Sequence, residues 1–312
     1  MAKVAKRIQK IREGIDPTPI HAIVTNSTYD GLCYNAEKIK TAVADQVDAL
    51  HFDEAWYAYA AFHEFFAGRY GMGTSRTPDS PLVFTTHSTH KLLAGLSQAS
   101  QILVQESQTR KLDRDIFNEA YLMHSSTSPQ YSIIASCDVA AAMMEAPGGT
   151  ALVEESLAEA LDFRRAMRKV DEEWGADWWF KVWGPDDLSE EGIEERDAWM
   201  LKPGERWHGF GQLSDGFNML DPIKATIITP GLDVDGDFAE NFGIPAAIVT
   251  KYLAEHGVIV EKCGLYSFFI MFTIGITKGR WNTMVTELQQ FKDDYDKNQP
   301  LWKVLLDFVA QN

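Results

Sequence analysis

Apolar residues recur along this chain in two rhythms. Short apolar runs at residues 21–26, 49–53, 82–86 and 102–105 predict strands. Between the first two, residues 35–46 carry Ile39, Ala42 and Val43 at helical spacing and predict a helix with that face inward. Buried-type strands alternating with helices predict a parallel sheet covered on both faces. Three of the strands run into polar clusters, at residues 27–30, 53–56 and 87–91. Ligands of such sheets bind beyond the carboxyl ends of the strands, so three polar tails there mark a candidate site.

The rhythm changes near residue 138. A long helical pattern runs to about 174, with Leu152, Leu157, Ala160, Leu161, Phe163 and Met167 in period and a break expected at Pro147-Gly148-Gly149. An acidic stretch rich in Trp, Gly and Pro follows to residue 202; Trp174, Trp178, Trp179 and Trp183 read as core packing. The remainder is α+β: an apolar run at 224–228, a loop at 230–237, a helix at 245–256, a strand pair at 258–262 and 268–273, a helix at 282–296 and another at 301–310. The expected organisation is residues 1–137 as one domain and 138–312 as a smaller α+β domain opened by a long connecting helix.

Charge and cysteine usage narrow the function classes. The net charge of −16 over 312 residues argues against a nucleic-acid partner, which calls for a basic face. An acidic surface loses self-repulsion as pH falls, which favours association in acid. No run of 18 uncharged apolar residues predicts a membrane span. Residues 1–15 are basic and helical in pattern, without the apolar core of a secretory signal. Cys33, Cys137 and Cys263 are widely spaced and read as small buried hydrophobes in a reducing cytoplasm. No metal site is expected. His87 and His90 lack acidic or thiol company, and Asp233-Val234-Asp235-Gly236-Asp237 has its glycine and its twelfth residue, Ile244, wrong for a calcium loop.

Two residues carry candidate chemistry. Lys91 ends Thr86-His87-Ser88-Thr89-His90-Lys91, after a strand and before the small, apolar Leu92-Leu93-Ala94-Gly95. Hydroxyl and imidazole donors precede it, suited to a phosphate, and a partly dehydrated lysine suits bonding to a carbonyl. A solvated surface lysine is the bland alternative. Asp53, in His51-Phe52-Asp53-Glu54-Ala55-Trp56-Tyr57, falls at a strand end, where a carboxylate can hold the proton of a pyridine nitrogen. Taken singly it also reads as a turn or cap. Ala55, two residues on, points the same way and could lie flat under a ring.

His-Phe-Asp-Glu-Ala-Trp followed by Ser-Thr-His-Lys-Leu-Leu resembles the major domain of the bacterial inducible ornithine/lysine/arginine decarboxylases. So do Thr25-Asn26-Ser27-Thr28-Tyr29-Asp30-Gly31, Phe117-Asn118-Glu119-Ala120-Tyr121, Ser126-Thr127-Ser128-Pro129, Trp207-His208-Gly209-Phe210 and Leu220-Asp221-Pro222-Ile223-Lys224. The resemblance runs from about residue 21 to 300. It implies an α/β fold: part of a fold-type-I (aspartate-aminotransferase-like) large domain with a mostly parallel sheet, followed by the smaller α+β domain. It implies pyridoxal 5'-phosphate as cofactor, with Lys91 as the cofactor lysine, Asp53 at the pyridine nitrogen and Ala55 against the ring. Ser88 and His90 would contact the phosphate, Ser126 would reach the neighbouring subunit's phosphate, and His90 or Lys91 would return the proton to Cα. Trp56 would support the site.

The implied reaction is decarboxylation of a basic amino acid, arginine first, then lysine or ornithine. It consumes one proton per turnover, which fits an acid-stress role by analogy. A homodimer or higher oligomer is expected. The resemblance also implies a chain shorter than the family's, lacking the first strands of the sheet, the main phosphate loop and the C-terminal region. A complementing N-terminal chain, or aggregation of the isolated chain through an open sheet edge, is therefore expected. The alternative is a truncated non-catalytic relative that binds decarboxylase subunits; retention of Lys91 and Asp53 favours the enzyme. An aminotransferase is a third reading, with no carboxylate-clamping arginine evident.

Overall fold

A computed structural model gives the structure of the protein and describes residues 20–73, 77–193, 195–234 and 242–311. The basic segment at 1–15 and the 235–237 part of the acidic turn lie outside the described residues. The chain divides into two compact units, residues 1–28 with 33–150 and residues 29–32 with 151–312.

The first unit contains β1 (His21–Thr25), all but the first residue of β2 (Leu32–Tyr34), β3 (Ala49–Asp53), β4 (Leu82–His87) and β5 (Gln101–Gln105). Its main sheet has the order β1-β3-β4-β5. The first three of these strands are parallel, while β5 runs antiparallel to β4, so the sheet is mostly rather than wholly parallel. Buried Leu50, Phe52, Val83 and Thr85 alternate with half-buried neighbours, the two-residue period of a pleated strand. The register aligns Thr25, Asp53 and Thr86 across the carboxyl ends of three strands.

Among the described residues this unit also holds the α-helices α1 (Ala36–Val43), α2 (Thr89–Leu92), α3 (Arg114–His124) and α4 (Tyr131–Met143). Asn35 caps α1 by accepting from the Lys38 amide at 3.0 Å. The buried side of α1 is Ala36, Ile39 and Lys40, not the Ile39–Ala42–Val43 face that spacing predicted. Lys40 turns inward because its Nζ meets Glu37 Oε1 at 3.2 Å and Gln105 Oε1 at 3.4 Å. Its aliphatic stem supplies the apolar packing. The long helical pattern begins earlier than its sequence signal, at Tyr131, and is interrupted as expected around Pro147 before α5 (Gly148–Trp174).

The second unit packs most of α5 with β6 (Lys181–Val182), β7 (Asn218–Leu220), β8 (Lys224–Ile228), β9 (Lys262–Cys263) and β10 (Ser267–Met271). The order β6-β8-β10-β9 is antiparallel throughout. It also holds α6 (Ala246–Glu255), α7 (Asn282–Asp296), α8 (Leu301–Val304) and α9 (Leu306–Gln311). Leu157, Ala160, Leu161 and Phe163 are fully buried, so the helical period read from the sequence is the core face of α5. The predicted strand at 258–262 shrinks to Lys262–Cys263, because Gly257, at φ +83°, closes α6 and Val258 N turns back to Leu253 O at 2.8 Å. Cys263 is exposed on the edge strand β9, and Cys137 is half-buried; only Cys33 of the three is a buried hydrophobe. Among the described residues no helix is long and apolar enough to cross a membrane.

Candidate functional site

The site is built at the carboxyl ends of β1, β3 and β4, all within the first unit. Asp53 is the last residue of β3, between Thr25 and Thr86 on the flanking strands. Its Oδ1 accepts the Ala55 amide at 3.2 Å, which fixes the carboxylate and leaves Oδ2 for a second donor. His51, two residues back on the same strand face, bonds Thr86 Oγ1 through Nε2 at 3.0 Å. Its ring stacks on His21 at 5.9 Å, with the planes 7° apart. Burial, and then the neighbouring His21, hold His51 below the ordinary histidine range, with Asp53 pulling the other way.

Lys91 lies on α2, directly after β4. Its amide donates to Ser88 O at 2.9 Å, and its Nζ stands 4.6 Å from the centroid of the Trp56 ring. That contact joins the segment after β3 to the segment after β4. Ser88 is the N-cap residue of α2, yet its hydroxyl makes no capping bond. His90 Nδ1 lies 2.8 Å from Ala99 O; a carbonyl only accepts, so Nδ1 carries the proton and Nε2 is left for another partner. Ser126 differs from the others. It sits in an exposed turn after α3 and accepts the Ser128 amide at 3.1 Å. The structure thus brings Asp53, Ala55, Ser88, His90 and Lys91 to adjoining strand ends and leaves Ser126 on the surface.

Sequence reasoning passed over a second acid. Glu54 is 1% exposed, and it faces away from Asp53 by the alternation of the strand. Its Oε1 accepts from Asn26 Nδ2 at 3.0 Å and from the Gly71 amide at 2.7 Å, and its Oε2 lies 3.3 Å from His87 Nε2. The signal available was an acid directly after a strand of buried type, in a motif whose first acid already had a role. His87 thus faces Glu54 through Nε2, and His90 faces Ala99 O through Nδ1.

The ornithine/lysine/arginine decarboxylase major-domain model matches residues 2–280. Lysine decarboxylase LdcA of Pseudomonas aeruginosa is 57% identical over 307 residues, covering 97% of this chain and 40% of that protein. The biodegradative arginine decarboxylase of Escherichia coli is 42% identical over 311 residues, covering 94% of this chain and 41% of that protein. The solved structure of lysine decarboxylase A from P. aeruginosa superposes with a TM-score of 0.84 at 59% identity, over 91% of this chain and 38% of that one. The chain therefore spans about two fifths of the length of these relatives. The architecture is that of fold-type-I pyridoxal-phosphate enzymes, and pyridoxal phosphate is the cofactor of the family. The identities do not support arginine as the first substrate.

Proposed function

Because the chain belongs to the ornithine/lysine/arginine decarboxylase family, we propose that it carries the cofactor lysine of a pyridoxal 5'-phosphate-dependent decarboxylase of basic amino acids. The observation that carries this reading is the register of three parallel strands. It sets Asp53 beside the segment that bears Lys91, at the end of the sheet where ligands of such folds bind. The residues present fit the cofactor. Asp53 offers a carboxylate oxygen beyond its bond to Ala55, Lys91 offers an amine resting on an aromatic ring, and Ser88 offers a hydroxyl without a capping bond.

When bound, pyridoxal phosphate supplies an electron sink for the charge left at Cα as CO2 departs. Asp53 holds the proton on the ring nitrogen, which keeps that sink effective. Ala55, beside it, leaves room for a flat ring. Lys91 would hold the cofactor between turnovers and free the amine product. Ser88 and His90 would hold its phosphate. Lys91 or His90 would return the proton to Cα. Replacing a carboxylate by hydrogen takes up one proton per turnover, which supports a role in acid resistance.

Lysine is the first substrate to test, because the chain is 57% identical to a lysine decarboxylase against 42% to an arginine decarboxylase. A homodimer in the cytoplasm is the working form, with Ser126 serving the partner's phosphate. The exposed Ile116, Met123, Tyr131 and Val139 of α3 and α4 support an apolar face that an oligomer covers. The test is a visible absorption spectrum of the purified chain with pyridoxal phosphate, beside Lys91→Ala. A Lys91-dependent band is expected, followed by CO2 release from lysine ahead of arginine and ornithine. No band would leave the family standing and mean that this chain by itself is no enzyme, either needing a complementing N-terminal chain or serving as a non-catalytic partner of decarboxylase subunits.

A further inference from the structure

Asp53 and Glu54 stand side by side, and the function proposed above uses only the first. We propose that Glu54 is a positioning residue for the same site: its buried carboxyl group ties the ends of β1, β3 and β4 together and so sets where Asp53 and Lys91 stand. The proposal rests on the decarboxylase reading.

Two of the three arms of the tie end next to a residue of the site. The first runs to Asn26, immediately after β1, whose own amide donates to Asp53 O at 2.8 Å. Asn26 is itself braced, donating to Arg69 O at 2.7 Å and accepting the Tyr34 amide at 3.1 Å. The second arm takes the Gly71 amide at 2.7 Å and anchors the loop that returns over the sheet. The third meets His87 Nε2 at 3.3 Å; His87 ends β4 and precedes Ser88, whose carbonyl holds the Lys91 amide. The ladder also continues through Glu54, whose amide donates to Thr86 O at 3.0 Å.

Packing on this face does not do the same work. A cavity of about 240 Å3 lies beside Glu54, lined also by Tyr57, His87, Thr89 and Cys137. Thr89, 1% exposed and two residues before Lys91, has a buried hydroxyl with no hydrogen-bond partner among the described residues. Where atoms are missing on one side, strand ends are free to shift unless hydrogen bonds hold them. A buried acid satisfied by three donors resists such a shift, since losing any arm leaves a buried polar group unpaired.

The test uses the full chain with pyridoxal phosphate as probe. It compares Glu54→Ala, Glu54→Gln and Asn35→Ala, the last a helix-cap loss in the same unit that serves as a control for stability. Affinity and the Lys91-dependent band are read by titration. Hydrogen exchange of the cofactor-free chain reads the Gly71 amide. Glu54→Ala is expected to weaken cofactor binding by about tenfold or more, the scale of a small misplacement of reacting groups. It should also speed Gly71 exchange. Glu54→Gln, which keeps an oxygen for Asn26 and Gly71, should restore affinity to within about threefold. Asn35→Ala should lower the melting temperature and leave affinity alone. Wild-type affinity in Glu54→Ala, or an equal loss in Asn35→Ala, would overturn the proposal while the decarboxylase reading stands. A wild-type chain with no Lys91-dependent band would overturn both, and would be distinguished by that missing band.

Discussion

Arg164 is the residue whose loss the second unit should tolerate least. It projects from α5 and is 4% exposed. Its Nη1 donates to Trp183 O at 2.7 Å, and its Nη2 donates to Lys224 O at 2.9 Å and Pro222 O at 3.4 Å. The guanidinium also stands 5.0 Å from the Trp199 ring. Burial pushes its pKa down to about 9, opposed by buried Asp221, so it remains charged at neutral pH. In Arg164→Met the shape is roughly kept while at least two buried carbonyls lose their donor. Each unsatisfied group costs roughly 1–3 kcal/mol, and the lost ring contact roughly 0.5–2 kcal/mol. Relief from desolvating the charge offsets part of this, giving a net loss of about 3–5 kcal/mol, as for other broken buried pairs. Set against a typical total of about 5–15 kcal/mol, that is enough to populate unfolded chain. Urea unfolding followed by tryptophan fluorescence suits the test, because Trp56 alone of the nine tryptophans falls in the first unit. Arg164→Lys keeps the charge but not the fork of donors, so it should recover less than half of the loss. A change below about 1 kcal/mol in Arg164→Met would refute the reasoning, since no unpaired buried carbonyl could then have been created.

Three further outcomes are expected. His51 is held below its ordinary value of 6.5, so on acidification the unfolded chain takes up the proton first. Stability is then full above about pH 6.5 and falls as pH drops toward the lowered pKa; urea midpoints should decline more steeply in wild type than in His51→Gln, and parallel curves would refute this. Phe163→Ala should cost about 3–5 kcal/mol by opening a cavity, as Phe163 is fully buried with Phe272 at 5.5 Å and Trp281 at 6.1 Å; calorimetry of the two chains checks it. Cys263 should alkylate in the native chain well before Cys33, as mass spectrometry of iodoacetamide-treated protein would show, and reversed rates would contradict the burial.

Where one periodic signal dominated, sequence and structure agree. The strands at 49–53, 82–86 and 224–228 and the helix at 282–296 stand almost residue for residue as read, because each is an uninterrupted run with a clear period. Agreement fails where a long-range partner decides. Lys40 reads as the solvated side of α1 and is buried because Glu37 and Gln105 receive it, and Gln105 is 65 residues away. The helix α3 carries no buried residue: its apolar Ile116, Leu122 and Met123 are exposed, so its apolar positions do not mark a core face. The Leu220-Asp221-Pro222-Ile223-Lys224 motif carried the family resemblance without revealing its work. Its carbonyls at Pro222 and Lys224 receive Arg164, which lies 58 and 60 residues earlier in the chain.

The pair Asp53-Glu54 shows why half of the candidate site was readable and half was not. A strand sends consecutive side chains to opposite faces, so two adjacent acids at one strand end cannot share a task. Asp53 falls on the face with His51 and Thr86, where a carboxylate can meet a ligand, and the role proposed for it, holding the proton of a pyridine nitrogen, is one the sequence alone suggests. Glu54 falls on the other face, where its partners are Asn26, Gly71 and His87. Its role depends on geometry, since three donors from three separate segments must converge on one carboxyl group. A motif records that an acid stands there. Only the register of β1, β3 and β4, which brings those segments to one edge, shows what the acid holds.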